Sequence, residues 1–220
     1  MSKLLHNEIE ILKKRVYSLS TLAEENLKYA VKAIRNNDIE IANRVIENDD
    51  AIDKMEIEVE EECLKILALF QPVAIDLRYI ISILKINSDL ERVGDLAKSI
   101  AERILHINSN SLKELESHSF DFENMCNASL ELLKMSIDSL VDFDSQLALS
   151  VIAKDDEIDK MNRDMFALFI KKVKENPQKT ELYLQYLSIS RLLERLADHA
   201  VAIAEDVYYM IEGSVVRHNK

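Results

Sequence analysis

The chain is predicted to be all-α, two tandem and pseudo-symmetric three-helix bundles, and three observations predict it. Apolar residues recur every three to four positions over long stretches, the period of a helix with one buried face. The 220 residues include only two Gly and two Pro, too few for the hairpins of a sheet protein. The sequence also repeats itself. DDAIDKM at Asp49 to Met55 returns as DDEIDKM at Asp155 to Met161, and ERVGDLAKSIAE at Glu91 to Glu102 returns as ERLADHAVAIAE at Glu194 to Glu205. Asp49 to Asp155 is an offset of 106 and Glu91 to Glu194 one of 103, so one unit was copied with a small net deletion between its two marks. The halves are placed at residues 1–110 and 111–220.

The first helix is read over Asn7 to Asn36, where Ile11, Val16, Leu19, Leu22, Ala23, Leu27, Ala30, Val31 and Ile34 keep the period. A polar turn follows at Asn36 and Asn37, and Asp38 is the N-cap of a second helix reaching about Phe70, because its short side chain accepts from first-turn amides. Pro72 is placed at the start of a third helix, where a missing N–H costs nothing, and that helix runs to about Asn108. Ser109 to Ser119 is polar and unperiodic, the candidate linker between halves. Three more helices are read over Phe120 to Asp142, Asp144 to Glu175 and Thr180 to Glu212. Pro177 separates the last two, Gly213 suits the left-handed position past a helix end, and the tail SVVRHNK closes the chain.

The copy extends to packing. On the third helix Ile80, Ile83, Asn87, Leu90, Gly94, Ala97, Ala101 and Ile104 form a stripe that maps onto Tyr183, Tyr186, Ser190, Leu193, Ala197, Ala200, Ala204 and Val207. Both stripes taper from bulky to small, which lets a neighbouring backbone approach closely at the same end of each bundle. Tyr183, Tyr186, Tyr208 and Tyr209 are read as interior or interface packing.

A net charge of -12 without a dense basic stripe disfavours nucleic acid and anionic membranes as partners. Cys63 and Cys126 stand far apart inside helical patterns, outside any CxxC spacing, and are read as buried apolar positions. The start, MSKLLHNEIEILKK, is charged rather than signal-like, and no apolar run approaches the ~20 residues of a membrane span. A reduced, cytoplasmic, soluble protein is expected, with no direct membrane insertion.

What the copies keep is acidic. Residues four apart on a helix share a face with Cβ atoms about 6 Å apart, so Glu91 with Asp95 and Glu194 with Asp198 present paired oxygens. Asp49 with Asp53 and Asp155 with Asp159 do the same one helix earlier. Antiparallel neighbours at ~8–10 Å bring such pairs face to face. Like-charged oxygens at that range either separate into water or share a cation, and hard oxygen donors without thiolate favour iron, manganese, magnesium, calcium or zinc. In a chain with 40 acidic residues such pairs also arise by chance on solvated faces, but recurrence in both copies weakens that reading. Glu91, Asp95, Lys98 and Glu102 fall at the edge of the core stripe, and Glu56 and Glu60 extend the first acidic face where the second copy has Asn162 and Phe166. The two clusters are therefore expected to differ. Arg92 and Arg195 are read as neutralising these acids or binding helix ends, and His199, which stands where the first copy has Leu96, as a core or surface histidine rather than a ligand.

Catalytic signatures are missing: no Gly-rich phosphate loop, GxSxG, HExxH or Glu-x-x-His is present. A ferritin-type metal-storage or redox bundle and a purely structural scaffold remain as other readings, and the lack of Glu-x-x-His speaks against the first.

At these same residues the sequence resembles the PhoU family of cytoplasmic phosphate-uptake regulators. QPVAIDLRYIISILKINSDLERVGD, Gln71 to Asp95, is similar to the family's first signature, and RLLERLADHAVAIAEDVYYMIEG, Arg191 to Gly213, to its second. The resemblance covers essentially the whole chain. It implies two three-helix bundles whose E(D)xxxD motifs ligate iron or zinc in clusters, which narrows the oxygen-donor reading while leaving manganese or magnesium as alternatives from that reading. Those motifs fall on Asp49 with Asp53, Glu91 with Asp95, Asp155 with Asp159, and Glu194 with Asp198. It further implies a non-catalytic homodimer that restrains the phosphate ABC transporter, through its ATPase subunit, and the associated sensor histidine kinase when phosphate is plentiful. Leu96 replaces a histidine common after the first motif, and Ala197 the usual glycine of the second.

Overall fold

The computed structural model describes residues 3–109 and 120–216. Most of the expected linker, residues 110–119, and the last four residues of the tail lie outside them. Seven α-helices follow in chain order: α1 Lys3–Asn36, α2 Ile39–Phe70, α3 Ala74–Ser109, α4 Glu123–Asp142, α5 Ser145–Ile152, α6 Asp155–Glu175 and α7 Thr180–Glu212. Helices α1 to α3 form one bundle, and α4, the α5/α6 pair and α7 form its copy. The two bundles meet along α3 and α7, which share an extensive interface, and α1 also packs on α4.

Local chemistry explains most boundaries. Helix α1 begins a turn earlier than expected because Leu5, Ile9 and Leu12 extend its buried stripe. Asp38 caps α2 by accepting from the Glu40 and Ile41 amides at 2.9 and 3.1 Å. Gly213 ends α7 at φ 72°, its amide donating to the Tyr209 carbonyl.

Three expectations are corrected. Pro72 is not in the first turn of α3: it is buried in the connection between Gln71 and Ala74, both of which are left-handed, and α3 starts at Ala74. Helix α4 starts at Glu123 rather than Phe120, because the Phe120 and Phe122 rings are drawn into an aromatic cluster, 5.2 and 6.0 Å from the Tyr186 ring. The segment read as one helix from Asp144 to Glu175 is two. The Lys154 amide donates to Val151 O, tightening the end of α5, and the chain restarts at Asp155. Two attractions favour that restart. Lys154 reaches across to Glu131 of α4, while Asp155, Asp156 and Glu157 fill the first turn of α6, where free amides and the helix dipole suit negative charge.

One continuous apolar core runs through both bundles. Tyr183 is fully buried within it and Tyr208 and Tyr209 are half-buried, while Cys63 and Cys126 lie in the interior, where burial pushes both thiols up to about 12. The halves are also joined by polar contacts. Arg35 of α1 makes a two-pronged pair with Glu123 of α4 at 2.8 and 3.0 Å and donates to Asn127 at 2.6 Å. Lys85 of α3 pairs with the buried Asp206 of α7 at 3.2 Å.

Candidate metal centre

The second acidic cluster lies between the first turn of α6 and the middle of α7. Starting α6 at Asp155 puts Asp155 and Asp159 one turn apart on the same face, toward α7. There Asp198 joins them: one carboxylate oxygen from each of the three residues lies within 4.8 Å of the others, the one group of this kind among the described residues. Asp198 keeps an exposed side chain, yet the crevice removes part of its hydration, and the charges of Glu194, Asp155 and Asp159 add to that. Together they push its carboxyl up to about 6. Glu194, one turn before Asp198, is raised for the same two reasons, desolvation first and then the Asp159 charge, but its oxygens stand outside the three-residue group. Arg163 approaches Asp159 only to 3.7 Å, from an exposed side chain. Three hard oxygen donors crowded until one of them resists ionisation are a donor set that fits a divalent or trivalent cation.

The first cluster, between α2 and α3, is built differently. Glu91 and Asp95 were expected at the edge of the core, and their neighbour Asp49 lies deeper, only 1% exposed. The cause is Gly94: a Cβ there would meet Ile52 Cδ1 at 3.0 Å and Asp49 Oδ1 at 3.4 Å, so the bare α-carbon lets α2 close onto α3 and carries Asp49 inside. Asp49 Oδ2 accepts from the Lys98 ammonium at 2.7 Å, and Oδ1 has no hydrogen-bond partner among the described residues. Asp53 and Asp95 also act on Lys98, whose pKa is raised chiefly by its hydrogen bond to Asp49. Asp95 is held by Arg92 at 2.9 Å, and Arg92 reaches Glu91 at 3.5 Å. Desolvation raises Asp53, Glu56 and Glu91, with their carboxylate neighbours adding to the effect. Glu56 is further tied to α3 by Asn87, which donates to its carbonyl and its carboxylate. The first cluster thus already contains a cation of its own.

The eight expected acids therefore form two unlike groups: Asp155, Asp159 and Asp198 converge with Glu194 alongside, and Asp49, Asp53, Glu91 and Asp95 surround basic side chains. Arg92 neutralises acids as expected, whereas Arg195 is exposed and bears on Glu194 only through its charge. His199 is structural, paired with Asp89 of α3 at 2.9 Å. From the sequence, Lys98 was placed at the edge of the core stripe without a role of its own. The signal was present in the copied motif, where Lys98 stands against Val201.

No helix among the described residues is long and apolar enough to cross a membrane. A family model described as the PhoU domain matches twice, over residues 16–104 and 122–207. The phosphate-specific transport system accessory protein PhoU homolog 1 of Thermotoga maritima is 34% identical over 207 residues, covering 94% of this chain and 88% of the relative. The PhoU homolog of Aquifex aeolicus is 37% identical over 215 residues, covering 97% and 96%. The crystal structure of PhoU from Pseudomonas aeruginosa superposes with a TM-score of 0.90 at 32% identity, over 95% of this chain and 99% of that one. The phosphate transport system regulatory protein PhoU from Streptococcus pneumoniae gives 0.83 at 30% identity, over 96% and 99%. Repeat, bundle geometry and all three comparisons agree over nearly the full length, and the chain belongs to the PhoU family.

Proposed function

We propose that the chain is a metal-binding, cytoplasmic accessory regulator of phosphate transport. It restrains phosphate uptake and the phosphate-starvation response when phosphate is plentiful, by docking on the ATPase subunit of the phosphate ABC transporter or on the sensor histidine kinase. It acts as a homodimer of two-repeat chains, the repeats being residues 1–110 and 111–220, and no catalytic role is assigned to it. The observation that carries this reading is the near-complete match, in sequence and in fold, to proteins named as phosphate-specific transport accessory proteins. Deletion of the gene tests it. Phosphate uptake, or expression from a phosphate-starvation promoter, is expected to rise in phosphate-rich medium, and a strain indifferent to the deletion would refute the role.

The metal part of the reading is supported by the convergence of Asp155, Asp159 and Asp198, with Glu194 beside them. Iron or zinc is the expected ion, with manganese or magnesium as alternatives. When bound, it supplies positive charge that offsets carboxylate repulsion and ties the start of α6 to α7. The chain's own contribution is to hold these oxygens on two rigid helices and to present the helix face around them to a partner.

A further inference from the structure

The two acidic clusters descend from one motif, so the positions where they differ identify what each has become. The comparison turns on one pair, Lys98 and Val201, which occupy the same place after the copied carboxylates Asp95 and Asp198. Lys98 Nζ lies 2.7 Å from Asp49 Oδ2 and within the field of Asp53 and Asp95. Val201 is buried and carries no charge.

We infer that Lys98 is a tethered counter-ion that closes the first cluster to metal, so that the chain takes up metal through its second cluster alone and would gain a further site if the ammonium were removed. The inference rests on the metal-binding reading of the second cluster, and three features support it. Asp49 is a carboxylate buried to 1% exposure, and an isolated charge at such depth is costly unless paired, which favours a cation held directly beside it. The Lys98 ammonium meets that requirement from within the chain. A divalent ion entering there would have to break the 2.7 Å hydrogen bond and lie against a displaced positive charge, whereas at the second cluster Arg163 approaches Asp159 only to 3.7 Å, from an exposed side chain. Finally, Asp49 Oδ1 is buried with no hydrogen-bond partner among the described residues and lies in the contact between α2 and α3. It is an acceptor left over because Lys98 bonds Oδ2 alone, and one that a multiply coordinating ion would use.

The test is to replace Lys98 by the residue of the other copy, Lys98→Val, and separately by Lys98→Gln, which keeps an amide donor for Asp49 and guards against misfolding. Metal-free protein is titrated calorimetrically with Mn(II) and with Zn(II), alongside elemental analysis of protein purified without chelator. Both variants should bind about one further equivalent per chain, and Asp49→Asn added to either should abolish the gain. Val201→Lys, the reciprocal change, should lower uptake without removing a carboxylate. If helical Lys98→Val and Lys98→Gln proteins bind no more metal than the parent chain, the inference is overturned. It is equally overturned if Asp49→Asn lowers metal content in the parent chain, which would mean that the first cluster already binds. A parent chain that takes up none while the Lys98 variants do would sustain the tethered counter-ion and refute metal binding at the second cluster, so the two failures are distinct.

Discussion

His199 Nδ1 lies 2.9 Å from Asp89 Oδ1, linking α7 to α3 across the interface between the two bundles. Both side chains are mostly covered, so the contact is only partly screened by water. A double-mutant cycle with His199→Leu, the residue type of the other copy, and Asp89→Asn should give a coupling of about 1 kcal/mol in urea unfolding. A coupling near zero would mean that the pair is a bystander.

Replacing Asp155 and Asp159 by Asn should lower the bound metal of the native protein while leaving far-ultraviolet circular dichroism unchanged. These carboxylates contribute little apolar packing, and relief of their mutual repulsion offsets loss of the Asp155 charge at the start of α6, so the metal-free double variant should stay within about 1 kcal/mol of the parent chain. Chelator should lower the Tm of the parent chain but not that of the variant, because an ion that binds only the folded state stabilises it by mass action. Equal chelator sensitivity in both proteins would remove these residues from the site.

The behaviour of Asp198 with pH follows from its raised pKa. Its carboxyl titrates at about 6 in the folded chain against 3.8 when unfolded, so ionising it is unfavourable for the metal-free fold. That penalty is absent below 3.8, grows as pH rises toward 6, and is complete above it. Asp198→Asn should therefore stabilise the metal-free protein at pH 7.5, with the advantage fading on acidification and gone near pH 4. Metal binding by the parent chain should weaken as pH falls through about 6, because protons compete for the same oxygens. Parallel stability–pH curves for variant and parent would contradict this.

Gly94→Val should destabilise the first bundle by about 2 kcal/mol, because even a Cβ would sit 3.0 Å from Ile52 Cδ1 and 3.1 Å from Ile52 Cγ2 in a filled core. Ile52→Ala on its own should also destabilise the chain, yet in the double variant the two losses should fall short of additive. Chemical denaturation of the four proteins checks both points.

Asp144→Ala should cost about 1 kcal/mol, since its Oδ1 accepts from the Gln146 and Leu147 amides at 2.9 Å and opens a helix of only eight residues. Hydrogen exchange should accelerate in α5 before it does in α7.

Features that depend on a few neighbouring residues were legible in the sequence. The cap at Asp38 and the left-handed Gly213 need only local chemistry, and the copied motifs showed two bundles before any packing was known. What was not legible depends on other helices. Neither Ala153 nor Lys154 is a helix breaker, and the division of α5 from α6 reflects the reach of Lys154 to Glu131 together with the acidic start of α6. The depth of Asp49 depends on Ile52 meeting Gly94 of another helix. The i,i+4 spacing of Asp155 and Asp159 was plain, but the rotation of α7 that brings in Asp198 and leaves Glu194 outside the group is a property of the packed pair.

The broad seam of α3 with α7, reinforced by the Arg35 clasp on Glu123 and Asn127, means that the peptide connection is not what holds the halves of the molecule together. Cutting the backbone once between residues 110 and 119 should yield two fragments that co-elute as a single particle and melt in one transition. Evolution is then free to vary the length of that connection without retuning either bundle.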